Sequence, residues 1–318
     1  VTGDWSSDVC SSDLAGIYSS IQDLRRVGFK KYGIPKSGPM DEYSHILTNW
    51  LLNKDIYSET IEITYYGPKI KINFEGNIAI FGSKCDAQLN NKKIKTGASI
   101  EVKNGDVLDI KKCIDGNRAY IGFSGVMKLK KIFKSLSTYE KIKIGGLSGK
   151  KLNKNDIISF KNIKRPKIKR IPSSFIKRYD DNNFIRIIKG IHFNRVQNEI
   201  TLFDNEFNIS VNSDRMGLRL TNNPIKLNDH DEIESTVVNK GTIQIPRDGN
   251  PIILMSDSQS TGGYPIIGNI CNVDISKITQ IKPNKSIKFK MITLNESNRI
   301  VEYERKKFKS ILSIDLST

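Results

Sequence analysis

Five glycine-containing polar clusters hold the residue types in this sequence that suit the binding of a small molecule. The most informative cluster spans residues 257–265 and reads DSQSTGGYP. Its paired glycines let the backbone approach a ligand closely or take a positive φ, and the side chains before them are short hydrogen-bonding groups. The alternative is a turn that closes a β-meander. The chemistry of the loop alone does not decide between a ligand-binding loop and such a turn. The other four clusters span residues 19–28, 32–41, 145–150 and 212–220.

The chemistry that these clusters share is amide and carboxylate recognition. Gln, Asp, Arg, Ser and Thr beside glycines can bind a small carboxylate or amide and polarise its carbonyl group. Nucleophilic catalysis has little support, because the sequence has no G-x-S-x-G motif and no histidine near a Ser or Cys nucleophile. His45, His192 and His230 are far apart and the cysteines lack C-x-x-C spacing, so we expect no metal centre.

The cluster GGLSGK at residues 145–150 superficially suggests a phosphate-binding loop. A Walker loop needs four residues between its glycines and a Ser or Thr after the lysine. Here three residues separate Gly145 from Gly149, and Lys151 follows Lys150. Consecutive backbone N–H groups beside Lys150 could still hold an anion. The alternative is a tight turn between strands.

Short strands are the elements that must position these clusters. Runs of β-branched and aromatic residues broken by Gly, Asn and Asp predict strands at residues 61–64, 70–74, 78–81, 107–110 and 119–123. Two apolar runs around Asp248 and Gly249 predict a β-hairpin within residues 241–268. Helices are predicted at residues 41–53 with Asp41 as N-cap, near 195–203, and at about 296–312.

The composition is that of a basic chain. There are 51 Lys and Arg residues and 34 acidic residues, which give a formal net charge of +17. The lysines are spread over most segments and accompany abundant Ile and Asn, as an AT-rich genome encodes, so we expect no specific nucleic-acid partner. No run of about 18 apolar residues and no secretory signal occurs, so we expect no membrane association. An odd number of widely spaced cysteines, with Cys10 set aside, indicates the reducing cytoplasm.

Residues 1–14 (VTGDWSSDVCSSDL) differ from the rest of the chain. They contain no Lys or Arg and resemble a translated sequencing-library adapter, so we predict a non-native leader in which Trp5 and Cys10 have no function. We predict an N-terminal β domain at residues 15–165 and a basic linker with solvated charges at 166–182. A C-terminal mainly β domain with a terminal helix is predicted at residues 183–318.

Six segments in register give the sequence a resemblance to one family. They read GIYSSIQDLRRVGF, YGIPKSGPMD, ETIEITYYGP, IGGLSG, NSDRMGLRL and GTIQIPRDGNPIILMSDSQSTGGYP, and the resemblance that they carry runs from about Gly16 to Lys290. The sequence resembles the family of 5-oxoprolinase C-subunits. That family is also called the biotin-dependent carboxyltransferase or allophanate hydrolase subunit 2 family, and it includes the antagonist of a histidine-kinase inhibitor. The chain departs from it at Ser124-Gly125, where relatives carry paired glycines, and at Lys134, where they carry a glycine.

The resemblance implies a mainly β protein with two β-barrel-like domains, at least one of them similar to cyclophilin, and a few helices. It implies a cytoplasmic component of an ATP-dependent 5-oxoprolinase, which opens the small amide 5-oxo-L-proline to L-glutamate. The implied partners are a B-subunit homologue of the kinase-inhibitor family and a LamB/YcsF-type A-subunit. One alternative is a biotin-dependent carboxyltransferase component of the urea or allophanate type, with biotin on another protein. Another is a regulatory partner of the B-subunit without catalytic activity.

The resemblance also directs the choice of site residues within the clusters. We predict that Asp23, Arg215 and Thr261 take part in catalysis, with Arg215 orienting an anionic group. The predicted substrate-binding residues are Gln22, Arg26, Gln259, Gly262, Gly263 and Tyr264.

Overall fold

The chain forms two compact units in a computed structural model, which describes residues 9–177, 179, 183–229 and 233–312. Unit 1 comprises residues 1–29 and 36–179, and unit 2 comprises residues 30–35 and 180–318. Several predictions fall outside the described residues. They concern Trp5, His230 and parts of the predicted leader, linker and C-terminal domain. Both units are built mainly from β-strands, which confirms the predicted fold class.

Unit 1 consists of two β-sheets that enclose one apolar core. Ile61 and Ile121 reach this core from the smaller sheet, and Ile70 and Leu108 reach it from the larger one. The larger sheet has the order β11-β12-β1-β4-β9-β6-β7, and the smaller has the order β2-β3-β10-β5-β8. The strands are β1 (Val9–Leu14), β2 (Tyr18–Gln22), β3 (Thr60–Thr64), β4 (Lys69–Asn73), β5 (Gly76–Gly82), β6 (Cys85–Leu89), β7 (Lys92–Lys93), β8 (Ser99–Val102), β9 (Val107–Cys113), β10 (Arg118–Phe123), β11 (Val126–Met127) and β12 (Ile157–Lys161).

The five strands predicted in unit 1 are all present, as β3, β4, β5, β9 and β10. Strand β4 shows why the pattern was informative: Ile70 and Ile72 are buried, whereas Lys71 between them is exposed. Successive side chains of a strand point to opposite faces, so this alternation places the isoleucines in the core.

Strand β1 gives the second half of the predicted leader a place in the fold. It pairs with β4 on one side and with β12 on the other, and Cys10 is buried between the sheets. Strand pairing uses backbone groups, so an unusual sequence can occupy this position when its inward side chains are small, as those of Cys10 and Ser12 are. The non-native origin of residues 1–14 stays a prediction, but Val9–Leu14 cannot be left out of the fold.

Helix α1 (Glu42–Leu51) packs on the smaller sheet of unit 1 and confirms the helix predicted there. It begins where predicted, because Asp41 caps it by accepting a hydrogen bond of 3.1 Å from the Ser44 backbone N–H. Leu47 and Leu51 are fully buried on its sheet-facing side. The helix thereby fixes the end of the YGIPKSGPMD segment that leads into it.

The basic stretch after β12 makes contacts within unit 1, and the linker at residues 166–182 stays a prediction. Ser99 donates its backbone N–H to the carbonyl of Lys169 at 2.9 Å, so the stretch runs beside β8. Ile171 and Phe175 are buried in unit 1, and the Lys169 ammonium lies 4.5 Å from the centre of the Trp50 ring. Lys169, Ile171 and Phe175 therefore hold the stretch in unit 1 by apolar and cation–π contacts, while Lys167 and Arg170 are exposed.

Unit 2 contains a closed barrel with the strand order β13-β20-β17-β18-β15-β14-β21. The barrel is closed by parallel pairing of β13 with β21, and Phe207 and Phe289 pack inside it. The predicted hairpin is confirmed, with Ile243 opposite Ile253. The strands are β13 (Phe184–Lys189), β14 (Phe207–Ile209), β15 (Gly217–Thr221), β16 (Thr236–Val237), β17 (Thr242–Gln244), β18 (Ile252–Leu254), β19 (Thr261–Gly262), β20 (Ile266–Ile270) and β21 (Ser286–Met291), and β16 pairs with β19 outside the barrel.

Three helices accompany the barrel: α2 (Glu199–Asp204), α3 (Asn272–Gln280) and α4 (Leu294–Leu312). Helices α2 and α4 lie within or near the predicted ranges, but α2 begins later because Asn198 caps it. Helix α3 was not predicted, since its sequence NVDISKITQ is rich in β-branched residues. Its first turn is held by Asp274, which forms an ion pair of 2.5 Å with Arg186 of β13. No helix in the described part of the chain is long and apolar enough to cross a bilayer.

The buried histidine of α1 predicts an acid-sensitive unit 1. His45 is fully buried, its Nδ1 lies 2.8 Å from the Thr60 hydroxyl, and burial lowers its pKa to about 4. In the unfolded chain the pKa is about 6.5, so the unfolded state binds the proton first as the pH falls. We expect His45 to reduce the free energy of unfolding by about 3 kcal/mol between pH 7 and pH 4.

Urea denaturation of the wild type and of His45→Gln at several pH values measures this effect. The variant loses the titrating ring, so its free energy of unfolding should change less between pH 7 and pH 4. Equal pH dependence in the two proteins would show that His45 does not titrate as its burial requires.

Candidate functional site

A polar cavity on the outer face of the unit 2 barrel is the candidate binding site. Its volume is about 440 Å³, which suits a small molecule. Along β15, Leu218 and Leu220 are buried while Arg219 between them is exposed, so alternation turns Arg219 away from the barrel core. The polar side chains that line the cavity are Ser210, Asn212, Asp214, Arg219, Thr221, Gln244, Asp248, Asn250, Gln259 and Tyr264.

The predicted anion-binding residue, Arg215, is held in a buried ion pair beside this cavity. Its Nε donates to Asp257 Oδ2 at 2.8 Å and its Nη2 donates to Asp257 Oδ1 at 3.3 Å. Both side chains are only 8% exposed. The Asp257 backbone N–H also donates to the Arg215 carbonyl at 2.9 Å. The ion pair engages the Nε and Nη2 of Arg215, and the predicted orientation of an anionic group by Arg215 stays a prediction.

Arg219 is the arginine that the same motif presents to the cavity. It is exposed and lines the wall on β15. Within residues 9–177, 179, 183–229 and 233–312, no carboxylate forms an ion pair with its guanidinium. The sequence-based prediction named Arg215 and omitted Arg219, although the flanking leucines of the GLRL segment signal that Arg219 faces outward.

The two acidic residues of the cavity wall are engaged in their own loops. Asp214 Oδ1 accepts the backbone N–H groups of Met216 at 2.8 Å and Gly217 at 3.0 Å. Asp248 accepts the backbone N–H and the side-chain amide of Asn250, each at 3.1 Å. These bonds hold the two loops at the rim. Arg219 is also a charged side chain of the wall, but the structure shows no partner for its guanidinium among the described residues.

The loop at residues 257–265 contributes to the cavity through some of its predicted residues. Gln259 and Tyr264 line the wall. Thr261 and Gly262 form β19, where Thr261 is exposed and pairs with Val237 without lining the cavity. Gly262 lies directly against a lining side chain, because a Cβ there would be 2.6 Å from Gln244 Nε2, whereas a Cβ at Gly263 would meet only ordinary contacts of 3.5 Å or more.

The predicted residues of unit 1 form a separate, buried cluster. Asp23 is 2% exposed and its carboxylate accepts four hydrogen bonds. The donors are the hydroxyls of Ser135 at 2.5 Å and Ser137 at 2.9 Å and the backbone N–H groups of Leu136 at 2.7 Å and Arg25 at 3.2 Å. Three of these donors lie on Oδ1 and one lies on Oδ2. Asp23 therefore fixes the segment 135–137.

Gln22 and Arg26 are bonded to the same part of the chain. Gln22 is fully buried, and its Nε2 donates to the Ser20 hydroxyl at 3.0 Å and to the Thr138 carbonyl at 3.3 Å. Arg26 is 1% exposed, and its Nη2 donates to the Ser137 carbonyl at 2.5 Å. The structure thus brings Gln22, Asp23 and Arg26 together inside unit 1, and it brings Gln259 and Tyr264 together in the unit 2 cavity.

The glycine-rich loop at residues 145–150 is a tight turn that packs on the buried cluster. The backbone N–H groups of Gly146, Gly149 and Lys150 all donate to carbonyls of unit 1, at 2.7, 2.8 and 3.3 Å. Gly145 has a φ of +71°, and a Cβ there would lie 2.0 Å from the Ser137 carbonyl oxygen. The loop therefore packs closely on unit 1, and three of its six backbone N–H groups are engaged within the fold.

Comparison with known proteins assigns the family. The family model described as "Carboxyltransferase domain, subdomain A and B" matches residues 32–291. The chain belongs to this carboxyltransferase domain family.

Relatives of this carboxyltransferase-domain protein carry two kinds of name. The 5-oxoprolinase C-subunit of Escherichia coli is 29% identical over 93% of this chain and 96% of its own length, and that of Haemophilus influenzae is 28% identical over 89% and 91%. The urea amidolyase of Saccharomyces cerevisiae is 30% identical over 94% of this chain but only 17% of its own length. The crystal structure of the K. lactis urea amidolyase matches 98% of this chain and 20% of that protein, with a TM-score of 0.90 at 26% identity.

The two arginines of the NSDRMGLRL segment should respond differently to truncation. Arg215→Ala leaves the Asp257 carboxylate buried without its partner, so we expect a loss of about 3–5 kcal/mol in the free energy of unfolding. Arg219→Ala removes an exposed side chain and should change it by no more than about 0.5 kcal/mol. Urea denaturation of the two variants tests this contrast. Similar losses would contradict the assignment of Arg215 to support and Arg219 to binding.

Proposed function

We propose that this chain is the C-subunit of an ATP-dependent 5-oxoprolinase that opens 5-oxo-L-proline to L-glutamate in the cytoplasm. The working complex contains a B-subunit homologue of the kinase-inhibitor family and a LamB/YcsF-type A-subunit. Support comes from the two bacterial relatives named as 5-oxoprolinase C-subunits, which this chain matches over nearly their full length. The six segments GIYSSIQDLRRVGF to GTIQIPRDGNPIILMSDSQSTGGYP support the same family.

The observation that carries the proposal is the composition of the unit 2 cavity. 5-Oxo-L-proline has one carboxylate, one lactam group and a short apolar ring edge. The cavity offers a guanidinium at Arg219 and side-chain amides at Gln244, Asn250 and Gln259, above the apolar side chain of Ile252. Guanidinium groups bind carboxylates in a bidentate manner, and side-chain amides pair with a lactam. Cavity and substrate therefore match group by group.

In this scheme the residues of unit 2 bind and orient the substrate. Arg219 holds the carboxylate, and the amides hold the lactam in one orientation for attack on its carbonyl carbon. Arg215 and Asp257 keep the cavity wall in place, and Tyr264 and Gln259 limit the space around the ring. Asp23, Gln22 and Arg26 support unit 1, and Thr261 remains a predicted participant in catalysis.

ATP belongs to another component of the complex in this proposal. The loop at residues 145–150 lacks the spacing of a Walker loop, and the backbone N–H groups of Gly146, Gly149 and Lys150 already donate to backbone carbonyls. The contribution of ATP to the complex is activation of the amide, and this chain's own residues contribute binding and orientation.

Co-expression with the A- and B-subunits from the same genome, followed by an assay of ATP-dependent glutamate release, tests the function. Arg219→Gln should raise KM for 5-oxo-L-proline by about 10- to 100-fold, because it removes a charge-assisted pair of hydrogen bonds. Arg299→Gln on α4 removes the same charge at an exposed position outside the cavity and should leave KM unchanged. Absence of glutamate release by the wild-type complex would overturn the function, and an unchanged KM in Arg219→Gln would overturn the site.

The second candidate function is biotin-dependent carboxyl transfer to a urea-type nitrogen. The fold likeness to the K. lactis urea amidolyase and the identity to the yeast enzyme favour it. Biotin would arrive on another protein, and Arg219 would hold the transferred carboxylate. Urea has no carboxylate of its own, so the free guanidinium favours 5-oxo-L-proline as the direct ligand. Transfer of labelled carboxylate to urea, with no glutamate release, would select this second function.

A further inference from the structure

Arg219, Ile252 and Gln244 form one row across three neighbouring strands of the barrel. Arg219 of β15 is opposite Ile252 of β18, and Ile252 is opposite Gln244 of β17. Residues that are directly opposite in antiparallel strands carry their side chains on the same face. Strands are about 4.8 Å apart, so the two outer residues of the row are about 10 Å apart at their Cα atoms. All three line the cavity.

The backbone at Gln244 departs from regular pairing. Thr242 and Ile243 of β17 are opposite Asn269 and Gly268 of β20, but Gln244 is opposite Ile266, so Ile267 is left out of the ladder. This is a β-bulge, a feature that re-aims side chains and is frequent beside functional sites. The bulge lies at the residue that ends the row.

The Gln244 side chain is held in one orientation. Its Nε2 donates to the Tyr264 carbonyl at 3.3 Å, which requires the amide nitrogen to face that carbonyl. The amide lies against Gly262, where a Cβ would be 2.6 Å from Nε2 and 3.1 Å from Oε1. Only a glycine at position 262 leaves the amide in this place.

One of its two N–H groups is so engaged, and Gln244 keeps its Oε1 and the second N–H for a ligand. The structure shows no donor to this oxygen among the described residues. A carbonyl oxygen in a ligand cavity selects ligands that carry an N–H or O–H donor. The apolar Ile252 side chain between Gln244 and Arg219 suits ring methylene groups.

We propose that Gln244 is the specificity residue of this cavity and that its Oε1 accepts the amide N–H of the ligand. Gly262 is the positioning residue that keeps the Gln244 amide in place. The proposal rests on the proposed function and assigns the ligand to small secondary amides that also carry a carboxylate. Arg219 binds the carboxylate at one end of the row, and Gln244 reads the N–H at the other.

Two ligands that differ at one ring atom test this assignment. 5-Oxo-L-proline carries the ring N–H, and 5-oxotetrahydrofuran-2-carboxylate is the lactone with oxygen in its place. Calorimetric titration of the full-length chain should give the lactam an affinity about tenfold or more above that of the lactone, because the lactone oxygen leaves Gln244 Oε1 without a donor. Gln244→Met, which keeps the length of the side chain, should bring the ratio of the two affinities close to one.

Two glycine variants form a matched pair in the same experiment. Gly262→Ala displaces the Gln244 amide and should lower the lactam-to-lactone ratio, whereas Gly263→Ala meets no contact below 3.5 Å and should preserve it. Arg219→Gln should weaken both ligands and keep the ratio, because each carries the carboxylate. Thermal melting of every variant reports whether the fold is retained. If Gln244→Met does not fold, the ratio of the two affinities in Gly262→Ala still tests the role of Gln244.

The possible outcomes separate this proposal from the proposed function. Equal binding of the two ligands by the wild type, or an unchanged ratio in Gln244→Met and Gly262→Ala, overturns the role of Gln244 while glutamate release by the complex still supports the function. If the wild type binds neither ligand, the role of Gln244 is overturned as well. The glutamate assay then decides separately on the function.

Discussion

Arg215 and Asp257 are both buried, and neither charge could lie in the wall of the unit 2 barrel without the other. Taking a single charge out of water costs several kcal/mol, and a two-point contact between guanidinium and carboxylate offsets that cost. The pair joins the loop before β15 to the loop after β18, and both loops border the cavity. With these loops fixed, Arg219 and Gln244 face a common space. The ion pair therefore ties together two loops that border the cavity.

The same contrast between engaged and unengaged groups distinguishes several polar residues of the two units. Carboxylates whose hydrogen bonds are made within the fold, such as those of Asp23 and Asp248, hold segments of the chain in place. Arg219 and the Oε1 of Gln244 lie in the cavity with no partner among the described residues, and they form the ends of one cross-strand row. A charged or polar group that the fold leaves unoccupied in a cavity is the group able to bind a ligand.

Sequence patterns predicted the elements well where local periodicity decides the structure. The strands around Ile61, Ile70 and Ile121, the cap at Asp41 and the hairpin around Gly249 were all recognisable. Helix α3 was missed because its β-branched residues favour a strand, and the Arg186–Asp274 pair that holds it involves distant segments. For the site, Gln259 and Tyr264 were found in the cavity wall, whereas Gln244 gave no signal, because its position depends on a bulge and on Gly262 across the loop.

The central claim is that the unit 2 cavity binds a small amide with a carboxylate through Arg219. The most direct measurement is a crystal structure of the full-length chain grown with saturating 5-oxo-L-proline. We expect the ligand on the row Arg219–Ile252–Gln244, with its carboxylate against the Arg219 guanidinium and the Arg215–Asp257 pair intact. Ligand bound instead at the Gln22–Asp23–Arg26 cluster of unit 1, or a carboxylate that displaces Asp257 from Arg215, would contradict this claim.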